Sequence, residues 1–505
     1  MCLSQDVSGT LKTVAKGSTA VFAGTATGMV LALVWRLLVI RSLSQADFGT
    51  FFLAISIINL LVAVSTLGLP DGVPRYIAYF RGKKDEKSVG ATVKAGSRIT
   101  AIFSVAIAVT VFAISPLLED YMHMGGLAIS MQIMLVSLPF FAMAVLLTAV
   151  FRGFGVVRVK VYFIEFSKRL FIFLGVVFLM VFGLTNLISV SLVFSLSGIA
   201  VFIAVWWYYL RNRPDIETVK DGDTIRRMEK KLLVFSLPLL GMGFMDAIFR
   251  AIGPTVLGVM STPEEIASFG AAITLSALMG VAMTSLNFLY LPLMSDFFAR
   301  NMKEEMKRVY AMISKWLFFF MALVLAGFIL FSDIISALLF STEYSNTGYV
   351  MAIQAIGFFS IYLFGPVRAT LIVIGKSYFL IISSAVGLVV SFSLTVLLSG
   401  VYGAVGASIG MAAGLMVMYG LNAIELQKKE GMNPFTREYS VTFTGGLIFL
   451  ALSTAASYYS SLGLKHHIVL FFILTSAYLA YVVVFKAVER EDIEMFRTII
   501  KKIRR

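Results

Sequence analysis

The hydrophobic positions of this chain fall into long runs of about twenty residues, set apart by short polar stretches. A run of that length crosses about 30 Å of hydrocarbon as an α-helix. Fourteen are expected, near 17–40, 47–69, 96–115, 127–150, 161–183, 186–210, 232–259, 266–294, 309–332, 347–373, 377–398, 401–425, 440–459 and 467–488. The turns Gly183-Leu-Thr-Asn186 and Gly400-Val-Tyr-Gly403 divide the stretches 161–210 and 377–425. The pattern predicts an all-α polytopic membrane protein with 14 transmembrane helices. Within the first run, Ala20, Gly24, Gly28 and Ala32 recur at every fourth position, a stripe that lets another helix come close. The same run carries a guanidinium, Arg36, about a turn and a half from its end.

Composition agrees with the pattern. Of 505 residues, 59% are hydrophobic and 14% are charged, against about one-quarter charged in a soluble chain. Mean hydropathy is +0.90. The net charge of +14 would point to nucleic acid in a soluble protein, but its placement gives another reason for it. Lys and Arg gather at Arg75 to Arg98, Arg152 to Lys160, Arg211 to Lys231, Arg300 to Arg308 and Lys428 to Arg437. The alternate loops at 116–126, 260–265 and 333–346 contain neither residue. Basic residues concentrate in cytoplasmic loops, so the alternation predicts a multi-pass plasma-membrane protein with both termini cytoplasmic and no nucleic-acid partner. Cys2, the single cysteine, excludes an internal disulfide framework. No Cys/His spacing fits a metal, no cofactor is expected, and nothing at the N-terminus resembles a cleaved signal peptide.

In the tail, Ile493, Phe496, Ile499, Ile500 and Ile503 alternate with Arg490, Arg497, Lys501, Lys502, Arg504 and Arg505, which reads as an amphipathic helix on an anionic membrane surface. Gly406-Ala-Ser-Ile-Gly410 matches the nucleophile-elbow pattern, yet it lies inside an expected membrane helix, where Gly406, Gly410 and Gly414 form a packing face. An enzyme is not expected.

An internal repeat appears at an offset of roughly 220 residues. Ala46-Asp-Phe-Gly49 is echoed by Ala267-Ser-Phe-Gly270, Tyr79-Phe-Arg81 by Phe298-Ala-Arg300, and Gln132 by Gln354. Six spans per unit give two parallel pseudo-repeated six-helix lobes, the arrangement of a transporter with a site near the midplane. The expected organisation is an N-lobe with its linker at 1–231, a C-lobe at 232–425, and two C-terminal helices with the basic tail at 426–505.

Charges inside the spans carry the expected mechanism, because such residues usually face a bundle interior or a wet cavity. Arg36 and Arg250, each in the opening helix of its lobe, would suit a diphosphate, which guanidinium binds bidentately. Arg36 could instead snorkel to the interface, and Asp246, four residues before Arg250, could pair with it. Arg75, after the Pro70-Asp-Gly-Val-Pro74 kink, would add charge at the cytoplasmic mouth, and Arg368 is a further substrate-binding candidate. Glu165 reaches Lys168 or Arg169 at helical spacing, so these three are expected to pair locally or to serve coupling.

Arg41-Ser-Leu-Ser-Gln-Ala-Asp-Phe-Gly49, Leu67-Gly-Leu-Pro-Asp-Gly-Val-Pro-Arg-Tyr-Ile-Ala78 and Tyr402-Gly-Ala-Val-Gly-Ala-Ser408 resemble hallmarks of the polysaccharide transporter family. That family includes the O-antigen flippases and belongs with the lipid II flippases and the multidrug and toxin extrusion proteins. The resemblance implies a V-shaped bundle of two lobes around a central cavity. It also implies alternating-access transport of a polyprenyl-(di)phosphate-linked oligosaccharide across the bilayer, with cavity cations holding the pyrophosphate and with glycosyltransferases or a polymerase as functional associates. The rival is a cation-coupled exporter of the multidrug and toxin extrusion type, whose prokaryotic members often carry an acidic residue in the first span. Here that span carries Arg36 and no acid.

Overall fold

The structure, a computed structural model, describes residues 24–212, 219–340, 342–344, 347–459, 464–487 and 492. Cys2, residues 17–23 of the first expected span, Arg490 and the tail from Ile493 onward lie outside the described residues. The first unit contains α1 (Gly24–Ser42), α2 (Gln45–Ser65), α3 (Leu69–Gly82), α4 (Glu86–Met122) and α5 (Leu127–Gly153). Next comes α6 (158–181), in which a π-helical turn, Val161–Ser167, joins α-helical Arg158–Lys160 to Lys168–Val181. Helices α7 (Leu187–Asn212), α8 (Gly222–Met260) and α9 (Pro263–Ser276) follow. The rest comprises α10 (Met279–Ala299), α11 (Lys303–Leu330), α12 (Ser332–Leu339), α13 (Thr347–Leu363), α14 (Val367–Val373), α15 (Ser377–Glu430), α16 (Arg437–Tyr459) and α17 (Leu464–Val484).

Twelve helices among the described residues are long and apolar enough to cross a membrane. The chain is a multi-pass membrane protein. Fourteen runs were expected, and the difference has two local origins. The run at 161–183 lies on α6, where the π turn interrupts the α-helix. The runs at 377–398 and 401–425 lie together on α15, a 54-residue element whose helical geometry breaks at Gly403 (φ 51, ψ −130).

That break folds α15 into a hairpin. A Cβ on Gly406 would fall 2.5 Å from the Leu398 carbonyl oxygen, one on Gly410 2.7 Å from the Thr395 nitrogen, and one on Gly387 2.8 Å from the Gly414 carbonyl oxygen. Farther from the turn, the Ser383 hydroxyl lies 2.7 Å from Asn422 Oδ1. Each contact pairs a residue before Gly403 with one about as far beyond it, so the arms run antiparallel. The glycines at 406, 410 and 414 form the close-packed seam, and Ser408 is fully buried, accepting from Gln354 Nε2 at 3.1 Å.

Basic residues expected in loops sit on helical extensions instead. Asp85 caps α4 by accepting from the Ser88 nitrogen at 3.0 Å, so Lys87, Lys94 and Arg98 lie on its first turns. Between α2 and α3 the backbone turns through Leu67 (φ 47) and Gly68 (φ 70). A side chain at Gly68 would strike the Ser236 carbonyl of α8, which explains glycine there.

The chain divides into two compact units, Met1–Gly270 and Ala271–Arg505. In the first, Leu69, Val73, Val89, Ile99, Leu146 and Val150 form a core with Ile225, Met228 and Leu232 of α8. Helix α8, expected to open the second lobe, therefore packs within the first unit. In the second unit Phe318, Ala322 and Leu325 of α11 pack with Phe359, Tyr362, Tyr439 and Tyr478, so the two C-terminal helices share its core. That unit also holds a buried ion pair. Lys315 Nζ donates to Asp492 Oδ2 at 2.6 Å and to the Ala487 carbonyl at 3.0 Å, and Trp316 Nε1 donates to Asp492 Oδ1 at 2.7 Å.

Candidate functional site

The site is built on the seam between α1 and α6. A Cβ on Gly28 would lie 2.5 Å from the Glu165 carbonyl oxygen and 2.8 Å from Arg169 Nη1, and one on Gly24 would lie 2.8 Å from Val161 Cγ1. The glycine stripe of α1 thus admits the backbone of α6 where a larger residue would hold it off. The segment it meets is the π turn, in which the Ser167 hydroxyl donates to the Tyr162 carbonyl at 2.7 Å. Such turns are rare and concentrate at functional sites.

At this seam the intramembrane charges converge. Arg169 Nη2 donates to Glu165 Oε2 at 2.7 Å, and both side chains are about one-quarter exposed (25% and 29%). Arg169 Nη1, on the other edge of the same guanidinium, is buried with no hydrogen-bond partner among the described residues. Arg36 is half-buried beside Trp35, with its guanidinium carbon 5.5 Å from the indole centroid. The neighbours whose charges act on Arg36 are themselves cations, Arg169 and Arg250. Arg36 on α1 therefore feels two like charges, Arg169 on α6 and Arg250 on α8. Like charges brought together in this way repel one another, and a bound anion would relieve that repulsion.

The other expected site residues lie elsewhere. Lys168, next to Arg169 in sequence, is directed into the helix bundle, its ammonium 3.6 Å from the Phe141 ring centroid and 4.8 Å from that of Phe194. A cavity of about 10 Å³ beside it is also lined by Asn59 and Ser137. Asp246 is exposed on α8, one turn before the exposed Arg250, and has an interaction of its own. Arg75 stacks on Phe235 at 4.2 Å, and Arg368 belongs to the second unit, 5.9 Å from the Tyr419 ring centroid and 3.7 Å from Met418 Sδ. Among the described residues no group of three His, Cys, Asp or Glu side chains forms a metal site.

Sequence reasoning gave Arg169 only a local partner. Its approach to Arg36 follows from the parallel seam of Gly24 on Val161 and Gly28 on Glu165. The signal was the stripe itself, since small residues two and three turns before an intramembrane arginine mark where a partner helix comes close. The aromatic faces around Lys168 come from α5 and α7, and no local spacing links them to it.

A family model described as polysaccharide biosynthesis protein matches residues 14–298. Solved structures share the fold at low identity. A lipid II flippase MurJ in an inward closed conformation aligns with a TM-score of 0.71 at 14% identity, covering 95% of this chain and 99% of that one. An inward-facing multidrug resistance MATE family transporter of the MOP superfamily aligns with a TM-score of 0.70 at 14% identity, covering 80% and 94%. An outward-facing transporter of the same description gives 0.54 at 15% identity, covering 82% and 96%. Comparison with curated proteins gives no match.

Proposed function

This chain belongs to the polysaccharide biosynthesis protein family, and from that premise we propose that it is a flippase for a polyprenyl-(di)phosphate-linked oligosaccharide. The family and the structures it resembles are transporters, not enzymes. The observation that carries the substrate class is that the charges acting on Arg36 are those of two further guanidiniums, Arg169 at the α1–α6 seam and Arg250 on α8. A diphosphate entering hydrocarbon uncompensated would cost several kcal/mol or more, and planar guanidiniums match its oxygens two at a time. A cationic drug, as the cargo of a multidrug exporter, would be repelled by the same guanidiniums.

In this reading fourteen crossings leave both termini and the 211–231 loop in the cytoplasm, and two lobes expose the cations alternately to the two faces of the plasma membrane. Arg75 lies near the inner mouth, where it would meet the headgroup first. Arg368 is a secondary contact, and glycosyltransferases or a polymerase supply and consume the substrate. The lipid-linked substrate accords with the lipid II flippase among the structures of the same fold.

The test is export of surface glycan by cells carrying Arg36→Ala or Arg250→Ala, with membrane abundance measured in parallel. Both variants should insert normally and export nothing detectable, while Arg→Lys should retain partial export through charge without the bidentate fork. Wild-type export from both Ala variants would refute the site. Loss of the protein from the membrane would make these arginines structural. Cysteine labelling from outside intact cells at position 120 but not at 222 would support the orientation, and the reverse pattern would overturn it.

A further inference from the structure

Glu165 is the feature this function leaves unexplained. A site for a multiply charged anion gains nothing from a resident carboxylate, yet Glu165 sits 2.7 Å from one of its three guanidiniums. We propose that Glu165 is an internal stand-in for the substrate's phosphate, bound to Arg169 while the carrier is empty and displaced when substrate arrives. The inference rests on the diphosphate reading of Arg36, Arg169 and Arg250.

Several features of the seam support it. A transporter must return empty, and three like charges at membrane depth with no counter-ion would penalise that step. Glu165 removes one of them from the sum. It engages only one edge of the guanidinium, and Nη1 on the other edge is buried without a hydrogen-bond partner among the described residues, so the carboxylate does not exhaust the donors of Arg169. The displaced carboxylate has a receiver. Lys168 lies three residues along, its charge already interacts with Glu165, and its close contacts are the aromatic faces of Phe141 and Phe194. The carboxylate also stands within the π turn, while Arg169 stands just beyond it. Relaxation of that turn to α-helical geometry would change the angle between the two about the helix axis.

Isothermal titration of purified protein with farnesyl diphosphate, a soluble polyprenyl diphosphate, tests the proposal. If Glu165 occupies Arg169 about nine-tenths of the time, Glu165→Gln should bind the probe about ten-fold tighter than wild type. Glu165→Asp, which keeps the charge with a shorter reach, should fall between them. The gain should vanish in an Arg169→Ala background, because the two residues act as one unit. Export by Glu165→Gln should nonetheless fall, since the empty return step loses its counter-charge. A merely structural glutamate would weaken binding when replaced, so the sign separates the two roles. Equal or weaker binding by Glu165→Gln and Glu165→Asp, with the probe still bound by wild type and lost by Arg36→Ala, overturns the stand-in and leaves the cationic site intact. Failure of wild type to bind overturns both.

Discussion

Each of the two units holds a cation on a long apolar helix, and the two treat it in opposite ways. Lys315, in the second unit, has a side chain 6% exposed against a fully buried Asp492, and both carboxylate oxygens have donors. Arg36, in the first, is half-buried among cations. A buried pair that is fully hydrogen-bonded has nothing left to offer a ligand, whereas under-compensated charges create a demand that a substrate can meet. The state of satisfaction, more than the presence of an intramembrane charge, separates a structural ion from a functional one. The basic end of the first unit follows the structural pattern too. There Arg152 meets Asp71 at 2.8 Å, Arg98 meets Glu229 at 3.5 Å, and Lys94 donates to the Val219 carbonyl at 3.0 Å.

Reversing the sign at Arg36, the proposed substrate-binding cation, should have the largest effect. Arg36→Glu would relieve repulsion from Arg169 and Arg250, so glycan export should drop below detection while the thermal midpoint in detergent holds or rises. A fall in the midpoint would show that Arg36 is structural after all, and the contrast would collapse. At the structural cation the expectations invert. Lys315→Met should destabilise the protein by about 3–5 kcal/mol, the usual cost of leaving a buried charge alone. Adding Asp492→Leu should restore most of that loss, apart from about 1–3 kcal/mol for the orphaned Trp316 N–H, with export per folded molecule unchanged. Equal destabilisation in the single and double variants would mean that the pair is itself net stabilising and that an orphaned Asp492 adds no cost.

Smaller effects sharpen the same boundary. Gly28→Ala places a methyl against the Glu165 carbonyl oxygen and should cost about 1–3 kcal/mol by overpacking, with export falling further than stability does. Parallel losses would make the seam only a packing surface. Asp85→Ala removes the α4 cap and should cost about 1 kcal/mol with no change in export per folded molecule. Hydrogen bonds from the Ser88 side chain and backbone hold the Asp85 carboxyl below its ordinary value of 3.8. Its contribution is therefore present above that value and lost as pH falls through the lowered one, so wild type and variant should converge in acid.

Helical spacing made much of this legible. The stripes at Gly24–Gly28 and Gly406–Gly410–Gly414 were readable because a four-residue repeat puts small residues on one helix face whatever the fold. The Glu165–Arg169 pair was readable for the same reason. The π turn was not, because one extra residue per turn leaves no mark in the composition of Val161–Ser167. Nor was the membership of α8 in the first unit. Its basic residues read as a loop, while Ile225, Met228 and Leu232 were already helical and committed to a neighbouring core. Lys315 and Asp492 stand 177 residues apart, beyond the reach of any spacing rule.

The turn at Gly403 also bears on how the protein is made. A hairpin whose arms meet within a few residues of the bend incurs almost no loop-closure entropy, so its halves can pair as soon as both have left the ribosome. The first arm, with Ser383, Ser391 and Thr395 on its inner face, is poorly suited to lipid until the second covers it. These two segments should therefore partition into the bilayer as one unit, and a chain stalled between them should remain at the insertion machinery.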